Sequence, residues 1–277
     1  MAEPGRPQST IGCLGEALLQ KVLGNLEHLD QGRAACACRA FCEAARPLAP
    51  ALCYHSAHVN AVAVLELVLA GGAAGLGARH PAVPATALHL AAMFGRAEVV
   101  SILLMGGMRP DEPDEKGCFP LEQAAASGHA STVERLLKTR VSIADLRSES
   151  RFTALWSAAC GGHTAVVSKL LEAGASVDLA ADGGATPLCV AACAGHLEAV
   201  SRLLESGASV DLAAVNGRTP LWAAAQDGHA AVVSRLLESG ASVDLTDDEG
   251  RTPLWAAAYE GHARWCLGCW RAKRPPT

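Results

Sequence analysis

Aromatic residues are scarce in this chain: two tyrosines, four phenylalanines and five tryptophans among 277 residues. Half of the chain is nonetheless apolar, with 55 alanines and 27 glycines. Such a composition folds, but through thin side chains and closely spaced helices, not one thick aromatic core. Charged residues reach only 18%, and Lys plus Arg (23) fall below Asp plus Glu (28), leaving a formal charge of −5. Nucleic-acid recognition led by phosphate contacts needs a basic face, so it is set aside. No run of 18 apolar residues marks a membrane span; the stretch 59–70 is broken by Asn60 and Glu66. The first ten residues lack the apolar core behind a basic flank that marks a secretory signal. The expected location is the cytoplasm, with the nucleus also open, and not the secreted compartment. Eleven cysteines are an odd number, and most sit in helical patterns; without a secretory signal they read as reduced thiols.

Internal repetition organises what remains. Thr186, Thr219 and Thr252 each open a Thr-Pro-Leu, 33 residues apart. Thr153 precedes Thr186 by 33, Phe119 precedes Thr153 by 34, and Thr86 precedes Phe119 by 33. Composition alone does not place six markers at one period. A weaker copy at 61–73 implies a degenerate first unit over 51–84.

Each unit carries its own helix signals. Thr219 can cap a helix by accepting from a free backbone N–H, and Pro220 at the first helical position loses no hydrogen bond. Leu221, Ala224 and Ala225 share one face of that short helix, which Gly228-His229 ends. A second helix follows, with Val232, Val233, Leu236 and Leu237 at three- and four-residue spacing, until Ser239-Gly240 stops it. One such pair has too little core to stand alone; stacked copies bury both faces.

The recurring Thr-Pro-Leu, Ala-Ala, Gly-His, Val-Val…Leu-Leu and Gly-Ala…Val-Asp resemble the ankyrin repeat, whose period is 33 residues. The resemblance implies an all-α fold: an ankyrin-type helical-repeat solenoid with short hairpin loops, preceded by a small helical N-terminal module. Six ankyrin-like units span 85–270, the last truncated, between a flexible tail at 1–12 and another at 271–277. At the family's usual histidine position stand Trp156, Trp222, Trp255, Cys189 and Glu122, and only His89 keeps it. Arg140 occupies the place of a helix-ending glycine, so local distortion is expected over 140–151 without a break in the stack. In the last unit Trp265, Cys266, Cys269 and Trp270 fall on the apolar positions of the second helix.

Residues 13–45 form a separate problem. Leu14, Glu16, Leu18-Leu19, Val22-Leu23, Leu26, Asp30, Cys38-Arg39 and Phe41 stand in an order that resembles an F-box, with Leu14-Gly15 in place of its usual Leu-Pro and Phe41 in place of its tryptophan. That resemblance implies docking to the F-box-binding adaptor subunit of a cullin-based ubiquitin ligase through Leu14, Leu18, Leu19, Leu23, Leu26 and Phe41. The repeats would then recruit the substrate. The alternative is two or three short helices that only cap the stack, leaving a scaffold or inhibitor with no ubiquitin role.

Catalytic chemistry finds no candidate. His129, His163, His196, His229 and His262 recur at the repeat period, whereas metal ligands converge on one ion; as a ladder, they are expected to bond backbone groups at the turns. Cys266 and Cys269 form a lone CxxC at core positions, and Cys36, Cys38 and Cys42 lack a partner base. No metal, cofactor or catalytic residue is expected. Binding surfaces have better support, because first-helix ends and loop tips of stacked repeats line one concave groove. Met93 and Phe94 make an apolar end, while Gln226, Asp227, Tyr259 and Glu260 make a polar, acidic one. The tips add Asp111, Glu112, Asp114 and Glu115 at the front and Asp247, Asp248 and Glu249 at the back. These acids favour a basic or mixed-charge peptide by steering, or merely keep an alanine-rich rod in solution. A monomer that binds a protein partner, with no nucleic acid or membrane, is the expectation.

Overall fold

A computed structural model describes residues 79–80, 83–139, 144–148 and 151–262. The expected modules at 13–45 and most of 51–84, including Leu14, Leu18, Leu19, Leu23, Leu26 and Phe41, lie outside the described residues, as do Arg140 and 263–277.

Five helix pairs and the first helix of a sixth follow one another: α1 (Ala87–Met93) and α2 (Ala97–Met105), α3 (Pro120–Ala126) and α4 (Ala130–Leu137), α5 (Ala154–Cys160) and α6 (Thr164–Glu172), α7 (Pro187–Cys193) and α8 (Leu197–Glu205), α9 (Pro220–Gln226) and α10 (Ala230–Glu238), then α11 (Pro253–Tyr259). A short antiparallel ladder precedes them, β1 (Arg79–His80) against β2 (Val83–Thr86), with Arg79 opposite Thr86. It is a local hairpin at the entry to α1, so the helical architecture is the expected one.

The start of four of the first helices follows from a capping threonine, while Thr86 before α1 makes no such bond. The Thr153, Thr186, Thr219 and Thr252 hydroxyls accept from the backbone N–H three residues on, at 3.1, 3.2, 3.1 and 3.2 Å. Each satisfies one of the donors a helix N-terminus leaves open. Phe119, in the third unit, gives α3 no such cap.

The main packing is between neighbours. First helices stack in the order α1, α3, α5, α7, α9, α11, and second helices in the order α2, α4, α6, α8, α10. Alanine permits the close approach: Ala91-Ala92, Ala124-Ala125, Ala158-Ala159, Ala191-Ala192 and Ala224-Ala225 have no exposed surface. Leu88, Leu121, Leu155, Leu188 and Leu221 fill the layer between them, each worth roughly 2 kcal/mol of apolar burial.

The distortion expected from Arg140 falls outside the described residues, but the tip turn that closes the third unit departs from the others. The tip turns place Gly117, Gly184, Gly217 and Gly250 at φ between 71 and 75°, and Arg151 takes the same place at φ 56°. It is the lone non-glycine with positive φ among the described residues, in a conformation that clashes with a side chain's Cβ.

Candidate binding face and the ladders that hold it

Four sets of hydrogen bonds cross from one repeat to the next and fix the face that a ligand would meet. The first runs through the histidines. Nε2–H of His129, His163, His196 and His229 donates to the carbonyls of Met93, Ala126, Cys160 and Cys193, at 3.0, 3.0, 3.0 and 2.8 Å. The rings therefore reach back one full repeat, further than the local turn. They also explain the preceding glycines: a Cβ on Gly195, at φ 75°, would lie 2.5 Å from His229 Nδ1.

The second set explains the varied residues at the family's histidine position. His89 Nε2 donates to Cys118 O (3.1 Å), Trp156 Nε1 to Ala185 O (3.1 Å), Cys189 Sγ to Arg218 O (3.8 Å) and Trp222 Nε1 to Arg251 O (3.2 Å). Imidazole, indole and thiol are interchangeable here because each offers a hydrogen to the next repeat's carbonyl. Glu122 is the exception. Its residue is 8% exposed, and its Oε2 is buried without a partner. Burial pushes its carboxyl up to about 7, against opposing bonds from Ser148 and Phe119 and with help from the Asp114 charge.

The third and fourth sets were not legible as pairs in the sequence. Asp145, Asp178 and Asp211 accept from the backbone N–H of Ser176, Ser209 and Ser242, each 31 residues on, at 2.8, 3.1 and 3.0 Å. The Ser176 and Ser209 hydroxyls add bonds of 2.5 and 2.6 Å. At the tips, Val215 N–H donates to Gly183 O (2.9 Å) and Asp248 N–H to Asn216 O (3.2 Å).

Most of the anticipated groove residues are accessible. Met93 and Phe94 are 36% and 44% exposed, Gln226 is half-buried, Asp227 is open, and Tyr259 is 74% exposed beside an exposed Glu260. Asp227 accepts from the Cys193 thiol at 3.2 Å. Asp248 and Glu249 lie on the surface. Asp247 does not, which corrects its assignment to the groove. Its carboxylate is buried and accepts from the backbone N–H groups of Glu249 (3.1 Å) and Arg251 (2.9 Å) and from the Arg251 guanidinium (2.6 Å). Burial pushes its pKa up, and those bonds outweigh it and lower the carboxylate below its usual value. Asp114 is turned inward the same way, onto Lys116 N–H and Cys118 N–H at 2.9 Å each. Both acids shape a tip and leave its surface charge to their neighbours.

Sequence reading passed over Val215 at one tip (76% exposed) and the exposed Leu212 and Leu245, although the leucines recur at the repeat period behind Val-Asp. The thiols near the face are not activated: burial first, with Asp227 second, pushes Cys193 up to about 11, and burial takes Cys189 to about 11. Among the described residues no helix is long and apolar enough to cross a membrane.

The comparisons with known proteins agree with this architecture. A family model described as ankyrin repeats matches residues 52–147, 142–214 and 210–267. The human notch homolog protein 4 is 39% identical over 70 residues, 25% of this chain and 4% of that protein. The Drosophila melanogaster ARF GTPase-activating protein Git is 40% identical over 60 residues, 22% of this chain and 8% of that protein. The chain thus spans less than a tenth of these relatives. Among solved structures, the ankyrin repeat domain of Bcl-3 superposes with a TM-score of 0.69 at 27% identity, covering 80% of this chain and 97% of that one. The ankyrin repeat domain of human ASB11 gives 0.71 at 26%, covering 82% and 99%. Threonine caps, repeat-to-repeat ladders and these likenesses lead to one conclusion: the chain belongs to the ankyrin-repeat family, whose stacked repeats form a protein-interaction module.

Proposed function

We propose that the solenoid captures an extended, basic or mixed-charge segment of a protein partner along the row of first-helix ends and tips. The carrying observation is the imbalance at its far end. Asp227, Asp248 and Glu260 are exposed acids, whereas the Arg251 cation is already matched by Asp247 at 2.6 Å and Glu249 at 2.9 Å. Such a surface steers a cationic segment and discriminates against an acidic one. A joint change of Asp227, Asp248 and Glu260 to Asn, Asn and Gln tests it by co-precipitation against the parent chain. Unchanged capture of a salt-sensitive partner would count against the reading.

A second reading adds a role for the N-terminal segment. The order of Leu14, Leu18, Leu19, Leu23, Leu26 and Phe41 supports a substrate-recruiting adaptor of a cullin-based, F-box-type ubiquitin ligase. Titration of the full chain with the ligase's F-box-docking subunit checks it: binding is expected, and Leu18→Ala with Leu19→Ala should abolish it. Absence of binding at roughly tens of micromolar leaves the plain scaffold or inhibitor, with residues 13–45 as a cap.

A further inference from the structure

We infer that the paired rings of Trp255 and Tyr259 on α11 form a seat for an arginine-bearing turn of a partner protein; this rests on the protein-interaction reading above.

The repeats themselves show what such a seat takes. Trp222, one repeat earlier at the same helix position, is 2% exposed. The turn that follows it supplies two groups from a single residue: the Arg251 carbonyl accepts from Trp222 Nε1 at 3.2 Å, and the Arg251 guanidinium lies 5.8 Å from the ring. Arg218, from the same repeat as Trp222, sits over that ring at 4.0 Å. An indole in this position is thus satisfied by one arginine of its own repeat and one arginine-bearing turn from the next.

On α11 the first half of that arrangement is present and the second is open. Arg251 lies 5.2 Å from the Trp255 ring, as Arg218 does for Trp222. Trp255 is nevertheless 43% exposed, and among the described residues none accepts from its Nε1. Its ring stacks on Tyr259 at 5.0 Å and 11° between planes, and Tyr259 is 74% exposed. Tyr259 stands where Gln226 stands one repeat earlier, so a second ring lies beside the indole here that the filled site lacks. A guanidinium within about 6 Å of such a face is attracted by its quadrupole. The exposed carboxylates of Asp248 and Glu260 add the sign that favours a cation. A turn that lays its arginine on the rings and offers its own carbonyl to Nε1 would repeat both contacts that Arg251 makes with Trp222.

A cyclic peptide bearing Asn-Gly-Arg-Thr-Pro, the order of residues 216–220, serves as probe against the full chain. The reporter is the indole N–H signal of Trp255 in a nitrogen–proton correlation spectrum, assigned through Trp255→Phe. The signal should move on titration, and exchange of the peptide's arginine for glutamine should weaken binding about tenfold. Tyr259→Ala, at a position too exposed to threaten folding, should weaken it to a similar degree. Equal binding by the glutamine peptide, or an unmoved Trp255 signal, overturns the proposal. So does a shift of that signal with protein concentration alone, which would assign the seat to a second copy of this chain. A protein partner that perturbs Met93, Phe94 and Gln226 while Trp255 stays still would sink this seat and leave the wider interaction reading standing.

Discussion

Glu122 makes the third repeat's stability depend on pH in a direction opposite to that of an ordinary surface carboxylate. Its neighbours in the series reach the next repeat with a hydrogen to give, and a carboxylate has none. Burial moves its titration from 4.5 to about 7, and the group is only 8% exposed, so solvent screens it little. A folded-state value above the unfolded one means that the folded chain holds the proton more tightly. The unfolded chain therefore binds fewer protons between pH 4.5 and 7, and stability falls as pH rises through that window. It is fully present below 4.5 and has been lost above 7, by about 3 kcal/mol.

Glu122→Gln keeps the shape and removes the charge. It should be more stable than the parent by about 3 kcal/mol at pH 8 and within about 0.5 kcal/mol of it at pH 4.5. Urea unfolding followed by circular dichroism measures the gap at each pH. Amide exchange over 118–152 localises it, since repeat arrays need not unfold as one unit. A gap that is the same at both pH values, or one that reverses in favour of the parent at pH 8, would falsify the assignment of a buried, proton-holding Glu122.

Other consequences follow from the same geometry. Leu203→Ala, at a side chain with no exposure, should cost about 2–5 kcal/mol; denaturant titration checks it, with exchange rising mainly in the repeats on either side. Gly195→Ala should cost more than 1 kcal/mol or so, because it strains a φ of 75° and drives a methyl onto the His229 ring; thermal unfolding beside the milder Gly207→Ala, whose Cβ meets nothing within 4 Å, separates strain from clash. Asp178→Ala removes both bonds to Ser209 at an exposed site and should cost about 1 kcal/mol, read in the same assay. Amide exchange should be slower over 186–237 than over 120–150, and the opposite order would refute the placement of the core.

The frame of the fold could be read from the chain because its signals are local. A threonine followed by proline, an alanine pair and a glycine-histidine each act within a few residues, so 33-residue spacing was enough to place α1 through α11. What joins repeats was less legible. Asp178 and Ser209 are 31 residues apart, and their pairing depends on the repeat's rise and rotation, which no local pattern carries. Asp247 misled for a related reason: an acid in a polar loop looks like surface charge. Its spacing held the missing signal, since Asp114 and Asp247 each stand three residues before the tip glycine, Gly117 or Gly250, and their carboxylates close the turn through backbone N–H groups. Glu122 was recognisable as a departure, but its consequence required the burial that the alanine-rich neighbours impose.

The ladders also bear on how the groove can bind. At that first-helix position a backbone carbonyl of the next repeat receives the bond, so histidine, tryptophan and cysteine can exchange there without altering the stack. That frees the outward residues to vary while the spacing of the face stays fixed. All four buried side-chain polar atoms without partners among the described residues, on Glu122, Gln123, Thr132 and Thr139, fall in the third repeat. Each lacks the bond that offsets its desolvation. The face therefore divides into a front that includes Met93 and Phe94 and a firmer back that carries Asp227, Tyr259 and Glu260, with the least satisfied repeat between them. A partner held by the back alone need not span that repeat, whereas one that also grips Phe94 must, so acid that keeps Glu122 protonated should favour that second kind of contact and leave the first unchanged.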